Sequence, residues 1–199
     1  YATTSSQQVQ YMINDAKVRL VFCGEQEQYD KTHRVQALSP SLERIIVFDR
    51  HVRLSMHDPK AMYFDDFLKL GEGLPHEKEV EERWQQANED DLCDILYTSG
   101  TTGDSKGVML SYKQYAAALK ANDNCVPVGE NDRVIDFLPF THIFERGWAY
   151  LALSEGALLI VNTDPHKIQQ SMKETRPTSM SSVPRFWEKV YQAVKAKID

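Results

Sequence analysis

Basic residues are in the minority in this chain: 23 Lys and Arg stand against 29 Asp and Glu, a formal net charge of −6. That balance excludes a broad basic footprint for nucleic acid, although a nucleotide site needs only local positive charge. Long apolar runs are missing, so no stretch can span a bilayer as a helix, and Tyr1-Ala2-Thr3-Thr4 has no signal-peptide character. Cysteine is scarce. Cys23, Cys93 and Cys125 are odd in number and scattered, which fits the reduced thiols of a cytoplasmic protein better than disulfides or a zinc site. No repeat or low-complexity segment is visible. No dinucleotide-type glycine fingerprint follows the early strands, and no Gly-Lys-Ser/Thr closes a Walker loop. What is present is a hydrophobic share of 42% and an aromatic share of 10%, enough to bury the core of one large or two small domains.

The richest stretch is Tyr97-Thr98-Ser99-Gly100-Thr101-Thr102-Gly103-Asp104-Ser105-Lys106-Gly107. Most Gly/Ser/Thr stretches are surface turns. Here glycine, hydroxyl and lysine recur in one ordered pattern, which is what a polyphosphate needs. Glycine brings backbone close to phosphate oxygens, consecutive N–H groups form an anion nest, the hydroxyls donate, and Lys106 adds a point charge. Ile95-Leu96-Tyr97 before the loop and Val108-Met109-Leu110 after it read as strands. The loop therefore joins two strands, and the nest and Lys106 must do the work that a helix dipole does elsewhere.

The rest of the chain alternates helix and strand, the rhythm of an α/β layer with parallel strands. Thr4 or Ser5 caps a first helix with Gln7 or Gln8 completing a capping box. A strand over 18–23 is followed by a helix to Ser39-Pro40 and a strand over 45–48. Residues 50–60 read as loop; His51 and His57 there lack a cysteine or third histidine for a metal. Residues 62–70 read as a short amphipathic helix. The acidic stretch 76–91 reads as a solvated helix or linker, dividing the chain into sub-domain parts 1–88 and 89–199. Ser111 caps a helix over 112–122, a strand covers 133–138, an apolar and therefore buried helix covers 143–153, and a strand covers 157–161. Asp164-Pro165 opens a helix that Arg176-Pro177 stops, and 178–181 is a short strand. The last helix, from Val183-Pro184, is expected to bury Phe186, Trp187, Val190, Tyr191 and Val194. The missing initiator methionine and a helix that runs to the end predict a piece of something longer.

A second informative stretch is Phe137-Leu138-Pro139-Phe140-Thr141-His142-Ile143-Phe144-Glu145-Arg146. It places His142 and Glu145 just beyond a strand end, in the first turn of a helix capped by Thr141. Ligands of α/β sheets bind at strand ends, but a core histidine and a glutamate that merely favours the helix N-terminus explain the pattern equally well.

Residues 97–112 closely resemble the signature loop of the adenylate-forming superfamily, which contains acyl-CoA synthetases, peptide-synthetase adenylation domains and luciferases. The usual pattern is Tyr-Thr-Ser-Gly-Thr-Thr-Gly-x-Pro-Lys-Gly-Val; Ser105 stands here where proline is common. The His142 stretch resembles the Leu-Pro-x-x-His-x-x-Glu motif of long-chain acyl-CoA synthetases, and 183–189 resembles a third stretch of that branch. The resemblance implies an α/β fold of layered parallel or mixed sheets with flanking helices, a fragment from the middle of the large N-terminal domain of such an enzyme. It implies a parent that activates a fatty acid with Mg-ATP to acyl-AMP and pyrophosphate, then transfers the acyl group to coenzyme A. By matching positions, Thr98, Ser99, Gly100, Thr101, Thr102, Gly103, Lys106 and Gly107 would bind ATP, Thr98 would coordinate Mg²⁺, and Lys106, His142 and Glu145 would be catalytic. The family's adenine motif, ribose-binding aspartate and C-terminal lysine have no match here, so the chain alone is expected to be inactive. Peripheral membrane contact of the parent stays open. The alternatives are an aryl-CoA ligase, an adenylation domain that loads a carrier protein, and a non-catalytic nucleotide-binding module.

Overall fold

The computed structural model describes residues 3–98, 105–123 and 125–198. The chain divides into two units, Tyr1–Leu110 and Ser111–Asp199.

In the first unit, helix α1 (Ser6–Asp15) starts at the expected capping box, Ser5 Oγ accepting from Gln8 N while the Gln8 side chain accepts from Ser5 N. Strand β1 (Leu20–Cys23), helix α2 (Gln26–Val35), strand β2 (Arg44–Val47) and strand β3 (Ala61–Tyr63) follow. The three strands form a parallel sheet in the order β1-β2-β3, with Phe22 opposite Ile46 and Ile46 opposite Met62. Cys23 and Val47 face α1 and α2 across a core that includes Ile13, Tyr29, Val35 and Leu42. Residues 62–70, expected as one helix, split into β3 and helix α3 (Phe64–Lys69). The parallel pairing with β2 claims Met62 and Tyr63 for the sheet, and a three-residue strand leaves no periodicity of its own. Helix α4 (Glu77–Gln86) is solvated along its whole length, as its charge predicts. Strands β4 (Leu92–Thr98) and β5 (Lys106–Ser111) pair as a two-stranded sheet.

The second unit opens with helix α5 (Tyr112–Asp123). Ser111 caps it as expected: Gln114 N donates to Ser111 Oγ at 3.4 Å and Ser111 N donates to Gln114 Oε1 at 2.7 Å. Strand β6 (Arg133–Asp136), helix α6 (Ile143–Ser154), strand β7 (Leu158–Val161), helix α7 (Ile168–Thr175), strand β8 (Ser179–Met180) and helix α8 (Pro184–Ile198) complete it. The sheet order is β7-β6-β8, parallel throughout. The chain leaves β6 for β7 on one side and then crosses back to β8 on the other. Parallel crossovers are right-handed almost without exception, so α6 and α7 cover opposite faces.

Two expectations fail in this unit. Helix α6 buries only Glu145, Ala149, Leu151 and Ala152, while Ile143, Phe144 and Leu153 are exposed. Helix α8 buries none of its residues, Trp187 and Tyr191 included. Apolar residues at helical spacing specify a face; they do not specify that this unit supplies the surface that covers it.

Candidate active site

The two feet of the hydroxyl-rich loop lie within the described residues, whereas Ser99, Gly100, Thr101, Thr102 and Gly103 lie outside them. Thr98 ends β4 and Lys106 begins β5, so the loop joins two paired strands as expected. The Thr98 hydroxyl donates to the Lys106 carbonyl at 3.5 Å, and the Lys106 residue is exposed. Gly107 is required by packing: a Cβ there would come within 2.9 Å of Ile95 Cγ2 and 3.2 Å of Tyr97 Cζ. The β4 foot is tied back to α1. Tyr97 Oη donates to Asp15 Oδ2 at 2.6 Å, and burial together with the Asp15 carboxylate holds the phenol well above its ordinary pKa. Tyr11 meets the same ring edge-on at 6.3 Å.

The second candidate stretch lies at the carboxyl end of β6, between β7 and β8. There the crossover direction reverses, and open α/β sheets keep their ligand crevices at such a place. His142 is the N-cap residue of α6, where Thr141 was expected, and it makes no side-chain cap bond. Its backbone N–H donates to the Pro139 carbonyl at 3.0 Å, closing a turn that its Pro-Phe-Thr sequence favours. Arg146 Nε donates to the Phe140 carbonyl at 3.2 Å and pins the same turn from α6. His142 itself is exposed.

Glu145, one turn further on, is fully buried. Its Oε1 accepts the backbone N–H of Phe137 at 2.8 Å and of Leu138 at 3.0 Å, and its Oε2 accepts the Ser181 hydroxyl. The carboxylate thus joins the chain leaving β6 to the chain leaving β8. Burial alone would raise its pKa, but Asp136, Ser181 and the two backbone donors together draw it below the ordinary value. Asp136, the last residue of β6, is 1% exposed. Burial and the adjacent Glu145 push it up to about 8.

Sequence reading missed Asp136, Ser181 and Asp15. An acidic residue closing the apolar run Val134-Ile135 just before Phe137-Leu138-Pro139 was the available signal for Asp136. Nothing local marks Ser181, or Asp15, which reaches Tyr97 across 82 residues of sequence. Among the described residues no cluster of three or more His, Cys, Asp or Glu could hold a metal ion. Thr98 offers one neutral oxygen. That suits Mg²⁺, which takes few protein oxygens and completes its shell with phosphate and water. A cavity of about 700 Å³ lies at the amino ends of β1–β3, the opposite end from that at which such sheets bind ligands. Its cations are engaged: Arg19 pairs with Glu43 at 2.8 Å, and Lys60 Nζ donates to the Leu42 carbonyl at 2.6 Å.

The pattern of the AMP-binding enzyme family matches residues 1–198. The long-chain-fatty-acid–CoA ligase 1 of Saccharomyces cerevisiae is 37% identical over 151 residues, covering 71% of this chain and 21% of that protein. The human long-chain-fatty-acid–CoA ligase ACSBG2 is 31% identical over 203 residues, 98% of this chain and 30% of that protein. The chain therefore spans less than a third of the length of these curated relatives. Among solved structures, the anthranilate CoA ligase AuaEII in complex with anthranoyl-AMP superposes with a TM-score of 0.70 at 20% identity, over 89% of this chain and 33% of that one. A putative long-chain-fatty-acid CoA ligase from Rhodopseudomonas palustris also gives 0.70, at 14% identity, over 91% and 42%.

Proposed function

The chain belongs to the AMP-binding enzyme family, and from that premise we propose that it is part of the large N-terminal domain of a long-chain fatty acid–CoA ligase. In that parent, 1–88 and 89–199 contribute to two sub-domains joined by the acidic stretch. The reaction joins a fatty carboxylate to the α-phosphate of Mg-ATP with release of pyrophosphate. The acyl group then passes to the thiol of coenzyme A and AMP leaves. The observation that carries this reading is the strand–loop–strand geometry that sets Thr98 and Lys106 at the two feet of the Ser/Thr/Gly loop.

Both reactants are anions, so the protein's task is to hold charge in place; electrostatic positioning dominates phosphate chemistry of this kind. Ser99, Gly100, Thr101, Thr102 and Gly103 supply backbone and hydroxyl donors to the outer phosphates, Lys106 supplies a cation, and the Thr98 hydroxyl supplies an oxygen to Mg²⁺. Gly107 keeps β5 close under Tyr97. His142 orients the carboxylate or the α-phosphate. Glu145, buried and engaged by main chain, acts as a positioning residue for the His142 turn. No helix of the described residues is long and apolar enough to cross a membrane. The three scattered free cysteines support a cytoplasmic parent, one for which peripheral membrane contact stays open.

The test uses the full-length protein, fatty acids of graded length, and pyrophosphate release with and without coenzyme A. Release that depends on a long-chain fatty acid, with turnover that depends on coenzyme A, supports the assignment. Dependence on aryl acids, or turnover without coenzyme A, assigns the protein to an aryl-CoA ligase or a carrier-protein loader. His142→Ala is expected to lower the rate ~10²–10³-fold, the usual loss for one such contact.

A further inference from the structure

Two buried carboxyl groups meet at the end of β6, and their hydrogen bonding is unequal. Glu145 accepts three donors, from Phe137 N, Leu138 N and Ser181 Oγ. Asp136, equally buried, has no hydrogen-bond partner for either oxygen when both groups are counted as carboxylates. Adjacent buried carboxylates do not both ionise, and a buried polar group left unpaired calls for an explanation. One proton removes both faults. Placed on Asp136 it cancels the like charge and supplies the donor that Asp136 lacks. It belongs on Asp136 because the donors already surrounding Glu145 favour its ionised form.

Among the described residues, no titratable group besides Glu145 acts on Asp136. In register, Asp136 faces Val161 of β7, and Ile135 faces Met180 of β8. Ser181 follows β8. Glu145 on α6 is the titratable group that acts on Asp136. The pair therefore lies where the sheet reverses its winding, and the first residues it fixes, Phe137 and Leu138, lead straight into the turn that presents His142.

We propose that Asp136 is a positioning residue that works as a carboxylic acid: its O–H is donated to Glu145, and the shared proton clamps the ends of β6 and β8 so that the 139–142 turn holds His142 in one geometry. The clamp deepens the ligase reading above and rests on it for the role of His142, but the proton sharing is independent of the reaction. The Asp136 pKa of about 8 agrees with this arrangement. The folded value lies above the unfolded one of about 3.9. Its effect on stability is therefore most favourable below about pH 4, is lost progressively as pH rises to about 8, and is level beyond.

The test compares the full-length protein with Asp136→Asn, which keeps an N–H for Glu145 and cannot ionise. Amide exchange of 133–146 is followed from pH 5 to 9, corrected for intrinsic exchange, beside the pH profile of pyrophosphate release. The wild type is expected to lose protection up to pH 8 and to show an alkaline fall in kcat near pH 8; both features disappear in Asp136→Asn. Asp136→Ala, which offers no donor, is expected to lower kcat roughly tenfold to a hundredfold with KM little changed, since small displacements of reacting groups have such effects. Infrared spectra of the wild type labelled at aspartate, which need no variant to fold, should show a protonated carboxyl band that titrates away near pH 8. An identical pH response in Asp136→Asn, or no such band, overturns the proposal. If no fatty acid supports pyrophosphate release, the ligase reading falls, while exchange and infrared still decide whether the proton is shared.

Discussion

Strands β2 and β6 are the middle strands of two parallel three-stranded sheets, and they are spelled almost alike: Arg44-Ile45-Ile46-Val47 and Arg133-Val134-Ile135-Asp136. Each begins with an exposed arginine and then buries three residues in a row, as strands flanked on both sides do. They part at the fourth position. Val47 closes an apolar layer with Cys23 and Tyr29, whereas Asp136 brings a carboxyl group to the same depth. The difference follows the winding. The first sheet runs β1-β2-β3 in chain order, so its strand ends offer no reversal. The second runs β7-β6-β8, so its winding reverses at the end of β6, the kind of place where open α/β sheets keep their ligand crevices. There the buried acid lies beside Glu145, which ties the chain leaving β6 to the chain leaving β8, whereas Val47 serves only packing.

Exchanging the fourth residues should break the likeness most severely. Val47→Asp puts a carboxyl group where no Glu145 stands ready, and should destabilise the first unit by roughly 2–7 kcal/mol, the cost of an unpaired buried polar group; loss of amide protection over 44–47 would register it. Asp136→Val removes the O–H that serves Glu145 and should cost the second unit about 1–3 kcal/mol, less than Val47→Asp costs the first, while lowering activity. Denaturant unfolding would read the two losses, and equal losses from both swaps would erase the distinction drawn between the strands. Second to Val47→Asp in size, Glu145→Ala orphans the N–H groups of Phe137 and Leu138 and the Ser181 hydroxyl. It should cost about 3–5 kcal/mol, with fast exchange at those two amides as its signature.

Smaller effects sharpen the contrast between a tie at a functional loop and one that serves only the fold. Tyr97→Phe removes the bond to Asp15 and should cost about 1–2 kcal/mol. If that bond steadies the β4 foot of the loop, nucleotide affinity measured by calorimetry falls with it. Ser5→Ala removes the cap of α1 and should cost about 0.5–1 kcal/mol, visible as a small drop in melting temperature with nucleotide affinity unchanged.

Much of the fold could be read from local pattern. The Ser5–Gln8 capping box, the strands expected over 18–23 and 45–48 and found at 20–23 and 44–47, the Ser111 cap and the strand–loop–strand setting of Thr98 and Lys106 all rest on neighbours in sequence. The short strand β3 could not be read, because three residues carry no period and only pairing with β2 makes them a strand. The burial of α6 and α8 was overestimated for a related reason: an apolar stripe states a preference and leaves open which surface meets it. At the candidate site, His142 and Glu145 were visible as a motif, but whether Glu145 faced solvent, substrate or main chain was not.

What the sequence determined by itself is chemical type: a glycine- and hydroxyl-rich loop with one lysine, a histidine and a glutamate three residues apart beyond a strand, and an alternation of helix and strand that makes an α/β fold. Those are properties of residues close along the chain. Tertiary structure alone decided that β6 sits between β7 and β8, that Glu145 turns inward to join 137–138 with Ser181, and that Asp136 lies against it. The strand order and the Ser181 bond join residues far apart in sequence; Glu145, Asp136 and 137–138 are close along the chain, but which way Glu145 turns and where a proton sits depend on what surrounds the carboxyl groups in space, which no local pattern records.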